Sequence, residues 1–163
     1  VETGYGRAVL VPEIETKRVL DADTAYIMNR LLMGVMENNG TAAGYAVRGN
    51  MESIGKTGTT SDNRDYWFIG LTPYQCTATW YGYDSGFALN TAYGTHAPTK
   101  AWQTVMNQIR KTQEDKAFDV DTSVQTAKYC TESGGLASAN CPRTKSGYYK
   151  QAALPTPCPL HAA

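Results

Sequence analysis

"SIGKTGTTSDNRDYWFIGLTPYQCTATWYGY", residues 53–83, alternates at the strand period twice in succession. In "DYWFIGL" (65–71) Trp67, Ile69 and Leu71 share one face, and Tyr66 and Phe68 the other. In "YQCTATWYGY" (74–83) Cys76, Ala78 and Trp80 stand opposite Thr77, Thr79 and Tyr81. Thr72-Pro73 separates the two runs, which predicts an antiparallel hairpin. A third strand ends near Thr59, so residues 53–59, 65–71 and 74–83 predict a meander.

Helical signals flank this sheet. Asp21 or Asp23 can cap a helix in which Met28, Leu31, Leu32, Val35 and Met36 form one buried face, ending in "ENNG" at 37–40. Gly34 weakens it by about 1 kcal/mol relative to Ala. On the other side Pro98 suits a first helical turn, and Trp102, Val105, Met106 and Ile109 make an apolar stripe. Residues 6–12, "GRAVLVP", read as a short strand that stops at Pro12. After Lys116 the composition turns to Thr, Ser, Gly and Pro, so residues 117–163 read as a tail or small appendage to a 1–116 unit. The fold class that follows is α/β, an antiparallel sheet with packed helices.

Composition narrows the function. Fifteen basic and fifteen acidic residues cancel, which argues against a nucleic-acid partner. No run is long enough to span a bilayer. The chain starts on Val1 and enters directly on "VETGYGRAVL", which reads as a piece cut from something longer.

Three short motifs overlap in residues 53–63. Ser53-Ile54-Gly55-Lys56 fits S-x-x-K, Lys56-Thr57-Gly58 fits K-T-G, and Ser61-Asp62-Asn63 fits S-D-N, the signatures of penicillin-recognising serine enzymes. S-x-x-K chemistry needs the serine hydroxyl within reach of the lysine amine, a spacing that works on a helix. On a strand, residues three apart point to opposite faces, so Ser53 is not expected to be a nucleophile. Ser61-Asp62-Asn63 falls between two strands, where these residue types favour a turn. K-T-G has a suitable setting. Lys56 offers a cation to a carboxylate, the hydroxyls of Thr57 and Thr59 add hydrogen bonds, and Gly58 removes a side chain where a substrate backbone would approach. An edge strand there can pair with an extended peptide, and one N–H can serve as an oxyanion donor.

A longer likeness supports that choice. "GTAAGYAVRGNMESIGKTGTTSDNRDYWFIGLTP" (40–73) resembles the transpeptidase domain of class A penicillin-binding proteins, through Gly40-Thr41, then 55–60, "GKTGTT", then 67–73, "WFIGLTP". "DTAYIMNRLLMGVMENNGT" and "HAPTKAWQTVM" resemble the helices flanking that region, so the likeness spans about residues 1–112. It implies a partial penicillin-recognition fold lacking its amino-terminal half. It also implies substrate-binding roles for Lys56, Thr57, Gly58 and Thr59, with the Thr59 backbone N–H as half of an oxyanion hole. In the family the serine and S-x-N elements precede the K-T-G strand by a far longer stretch than the 55 residues before Lys56 here. The nucleophile is therefore expected to be absent and the isolated chain inactive. The parent enzyme would cross-link peptidoglycan stem peptides and react with β-lactams, at the extracytoplasmic face of the bacterial cell membrane. The competing reading is a non-catalytic module that binds peptides or a protein through its exposed strand. Without the missing half, apolar surface is expected to be left open, with self-association or pairing as the result.

Cys130, Cys141, Cys158 and His161 are spaced C-x10-C-x16-C-x2-H. Three thiolates and an imidazole can hold zinc; a Cys130–Cys141 disulfide leaving Cys158 odd, or unpaired thiols throughout, are the alternatives. "CTESGGLASANCP" resembles the tail on some class A enzymes of anaerobic Gram-positive bacteria, and the transpeptidase reaction itself calls for no cofactor. Cys76 is expected to be buried, His96 to serve a loop or cap, and Asp65 to make a structural hydrogen bond.

Overall fold

Alternation at the strand period produces the expected meander in the computed structural model, which describes residues 15–89 and 96–162. Strands β1 (Ile54–Thr59), β2 (Asp65–Leu71) and β3 (Cys76–Gly82) form an antiparallel sheet in the order β1-β2-β3. The β2–β3 connection closes on Thr72 N–H donating to the Gln75 carbonyl at 2.9 Å, so Pro73 and Tyr74 form the loop tip. The strand expected at residues 6–12 lies outside the described residues.

Tyr66, Phe68 and Gly70 point into the core from β2, while Trp67 and Ile69 point out. Across the inner face lies helix α2 (Ala97–Ile109), with Pro98 in its first turn and Trp102 and Met106 buried. The indole of Trp102 meets the sheet at Gly70, where an added Cβ would come within 2.3 Å of a ring carbon. Phe68 meets Trp102 edge-on at 5.2 Å between ring centroids. Met36, Ala42, Val47, Met51 and Met106 complete this core. Val105 departs from the expected stripe and is exposed, since it lines an open groove between α2 and Tyr45.

Helix α1 (Ala22–Met33) starts after Asp21 and ends at Gly34. Its predicted five-residue buried face is not observed. Met36 is buried, but in the turns after the helix, while Met28 and Leu31 are 50% and 61% exposed. The helix instead turns its Tyr26 and Arg30 flank to a second sheet, with Leu31 at the edge of the groove between them and Met28 half exposed.

That second sheet is formed by the segment read as a tail. Strands β4 (Val124–Cys130) and β5 (Thr144–Lys150) pair antiparallel from Val124↔Lys150 to Cys130↔Thr144. The hairpin docks on α1 through Arg30, which donates to the Tyr148 hydroxyl at 3.2 Å, and through a 2.9 Å ion pair between Lys150 and Asp23. The Lys150 ammonium holds the Asp23 carboxyl below its ordinary range, and Asp23 in turn raises Lys150. A depressed carboxyl contributes in full above its ordinary pKa and loses that contribution as pH falls through the folded value. A raised ammonium contributes in full below its ordinary pKa and loses it as pH rises through the folded value. Docking is therefore expected to be pH-independent between the two ranges and to loosen with acid. The ring-proton shifts of Tyr26 and Tyr148 should follow that acid transition, and in Asp23→Asn the transition should be absent.

Candidate functional site

The β1 edge gathers the K-T-G residues. Thr60 N–H donates to the Asp65 carbonyl at 3.1 Å, which makes Thr60 and Asp65 a hydrogen-bonded pair at the ladder's end. Hydrogen-bonded and non-hydrogen-bonded pairs alternate along an antiparallel ladder. With Thr59↔Tyr66, Thr57↔Phe68 and Gly55↔Gly70 in register, Thr59, Thr57 and Gly55 turn their N–H and C=O groups away from β2. Among the described residues, no strand pairs with β1 on that side.

Side chains from both faces of the sheet meet this free edge. Lys56 and Gly58 lie on the outer face, opposite Ile69 and Trp67, and Thr57 and Thr59 on the inner. Lys56 is exposed, and its ammonium reaches the outward Thr57 carbonyl at 2.7 Å. The Thr57 hydroxyl lies 3.0 Å from that of Thr41, so the Gly40-Thr41 pair is brought against the K-T-G strand. The turn that presents Thr41 depends on Gly40, whose added Cβ would collide with the Val35 carbonyl at 2.3 Å. Thr41 was not among the site residues predicted above; the signal for it was the quoted glycine-threonine pair. Gly58 carries no side chain on the outer face, where an added Cβ would press on Trp67 Cβ at 3.3 Å.

The other two motif matches go elsewhere. Ser53 is buried, and its hydroxyl accepts the Val47 N–H at 3.2 Å. Ser61–Asn63 forms a turn of 3-10 type between β1 and β2, with positive φ at Asp62 and Asn63. Asp65 has the structural role expected of it, accepting from Thr60 Oγ1 at 3.2 Å and from Trp80 Nε1 at 2.9 Å. His96 occupies the residue before α2, makes no side-chain cap bond, and stacks on Tyr45 at 5.3 Å between centroids. Cys76 is exposed, contrary to expectation. It shares the outer face with Ile69, Trp67 and Trp80, and α2 covers the inner one.

At the far end of the second sheet, Cys130, Cys141, Cys158 and His161 converge, their donor atoms all within 4.8 Å of one another. No disulfide joins Cys130 to Cys141, because each turns its sulfur towards the shared centre and all the cysteines are free. The Ser133 hydroxyl, followed by the His161 ring, draws the Cys158 thiol down to about 6 against the effect of burial. Backbone N–H groups, that of Ser133 first, lower Cys130, whereas burial raises Cys141.

An edge strand carrying a cation, hydroxyls and unpaired backbone groups has the chemistry to pair with an extended chain and to hold a carboxylate. Known proteins place it more narrowly. The chain is 37% identical over 131 residues to penicillin-binding protein 1A of Clostridium botulinum, covering 80% of this chain and 16% of that protein. It is 29% identical over 156 residues to penicillin-binding protein 1A of Clostridium tetani, covering 92% of this chain and 20% of that one. The crystal structure of penicillin-binding protein 1A from Haemophilus influenzae matches with a TM-score of 0.68 over 85% of this chain and 22% of that one, at 23% identity, and shares its fold. No protein-family model matches. The chain belongs to the class A penicillin-binding proteins and corresponds to the carboxy-terminal part of their transpeptidase region. It spans about a sixth of the length of the Clostridium botulinum relative.

Proposed function

We propose that the free edge of β1 is one wall of a D,D-transpeptidase site that cross-links peptidoglycan stem peptides. Lys56 anchors the terminal carboxylate of a D-Ala-D-Ala stem, or the carboxylate of a β-lactam, with help from the hydroxyls of Thr57 and Thr59. The substrate backbone pairs with the outward N–H and C=O groups of β1, where Gly58 presents no side chain. The Thr59 N–H donates to the oxyanion as a serine oxygen attacks the D-Ala-D-Ala carbonyl carbon. The C–N bond then breaks, D-Ala leaves as a protonated amine, and the ester passes its acyl group to an amine on a second stem. The attacking serine belongs to a part of the parent enzyme outside residues 1–163, and the site faces the extracytoplasmic side of the membrane. The observation that carries this reading is the row of outward backbone groups at Gly55, Thr57 and Thr59, flanked by the Lys56 ammonium.

The nucleophile's location can be tested directly. The full-length enzyme, treated with a fluorescent penicillin and digested, is expected to yield one labelled peptide from outside this stretch. The chain itself, incubated with the same reagent, is expected to keep its unmodified mass. A label on Ser53 would overturn the assignment, since that hydroxyl is buried and engaged with Val47.

A further inference from the structure

We propose that Cys130, Cys141, Cys158 and His161 bind one zinc ion through three thiolates and the imidazole Nδ1, and that this ion closes the carboxy-terminal module. Zinc–sulfur bonds of about 2.3 Å and zinc–nitrogen bonds of about 2.0–2.1 Å in a tetrahedron place sulfur and nitrogen roughly 3.5 Å apart, and two sulfurs roughly 3.8 Å apart. His161 Nδ1 lies 3.5 Å from Cys130 Sγ and 3.3 Å from Cys158 Sγ, and no two donor atoms are more than 4.8 Å apart. The donors come from the end of β4, the loop before β5 and the final turn of the described chain. A disulfide would use two of the three sulfurs and leave the third, with the imidazole, without a role.

The surroundings carry the inference further. Metal-bound thiolates and imidazoles are typically held by an outer layer of hydrogen bonds. Here the Ser133 hydroxyl donates to Cys158 Sγ at 3.1 Å, and Ser138 N–H donates to Cys141 Sγ at 3.3 Å. The turn after Cys130 closes on Gly134 N–H donating to the Cys130 carbonyl at 2.9 Å, with Gly134 at φ +75°. On the far side of the imidazole, Nε2 faces Glu132 Oε2 at 3.5 Å, a placement that favours the proton on Nε2 and leaves Nδ1 to ligate. Three thiolates and one zinc ion sum to a single negative charge, which these N–H and O–H donors face. Four protein donors leave no open position, so the site is structural, and a set of three sulfurs and one nitrogen suits zinc.

Beyond its ladder and its contacts with α1, the module has almost no apolar core of its own. Among the described residues after Met106, the buried core residues are Cys130 and Cys158 alone. A two-stranded hairpin is marginal by itself, and small units without an apolar core need a staple. A metal that binds only the folded arrangement supplies it, because its binding free energy becomes folding free energy.

The test uses this chain, purified reduced and supplied with zinc. Elemental analysis is expected to give one zinc per chain, and cobalt substituted for it should show the visible absorption of a tetrahedral thiolate site. Cys76→Ser should leave both results unchanged, whereas Cys141→Ser and His161→Ala should lose stoichiometric binding. Removing a ligand can unfold the module, so Glu132→Gln and Ser133→Ala provide the graded readout. Each is expected to weaken zinc affinity, measured against a competing chelator, by about 10–100-fold. The proposal is overturned if the reduced chain binds neither metal, if zinc stays stoichiometric in a Cys130→Ser/Cys158→Ser double variant, or if both graded variants hold zinc as tightly as the parent.

Discussion

Trp102→Ala is expected to lower the stability of this chain by about 3–5 kcal/mol, among the largest losses from any single truncation here. Trp102 is 1% exposed and fills the space between α2 and the sheet, against Phe68 and the backbone of Gly70. A domain holds roughly 5–15 kcal/mol in total, so the variant should melt roughly 6–20 °C lower by calorimetry. Its indole Nε1 is buried without a partner, so Trp102→Phe removes an unmet donor along with some contact and should cost less. The specific claim is coupling to Gly70. Gly70→Ala places a methyl group 2.3 Å from the indole, a clash that vanishes once the indole is gone. The two substitutions should therefore be strongly non-additive in a double-mutant cycle. Additive losses would mean that the ring does not rest on that glycine.

Lys56→Ala is expected to leave melting nearly unchanged and to cripple recognition. Lys56 is exposed, and its bond to the Thr57 carbonyl is at the surface. In the full-length enzyme, however, the ammonium would meet a substrate carboxylate in a closed cleft, where losing one partner of a charge pair costs about 2–5 kcal/mol. The second-order rate of acylation by a β-lactam should fall by about 100-fold or more, and Lys56→Arg should recover part of it. A β-lactam lacking the ring carboxylate should react with parent and variant at similar rates. A rate within about threefold of the parent for the carboxylate-bearing compound would remove Lys56 from the site.

The sequence made some of this legible and hid the rest for identifiable reasons. The meander was readable because Tyr66-Trp67-Phe68-Ile69 alternates strictly and the turn residues fall between the runs. Which face would be buried was not readable, since both carry aromatic and aliphatic side chains. Cys76 was therefore placed inside, but α2 covers the face of Phe68 and Gly70. The stripe on α1 misled in a similar way. Met28 and Leu31 have helical spacing with Met36, but the helix stops at Gly34 and docks through Tyr26 and Arg30. The β4–β5 hairpin was missed because "VQTAKYC" and "TKSGYYK" bury almost no apolar side chain. Their Tyr, Thr and Val content was the available signal. At the K-T-G strand the residue types were clear in advance, whereas the approach of Thr41 to Thr57 depends on the 34–42 turn.

The free edge of β1 has a consequence for escape from inhibitors. Much of what it presents, at Gly55, Thr57 and Thr59, is main-chain N–H and C=O. Every residue type supplies the same carbonyl, and all but proline the same amide. A codon change can delete the Lys56 cation or a threonine hydroxyl, but short of proline it cannot delete the row of backbone groups. A ligand that draws its affinity from that row leaves the strand few substitutions by which to evade it. Under the proposed binding mode, resistance would have to come from displacing the strand, or from bulk introduced at Gly58.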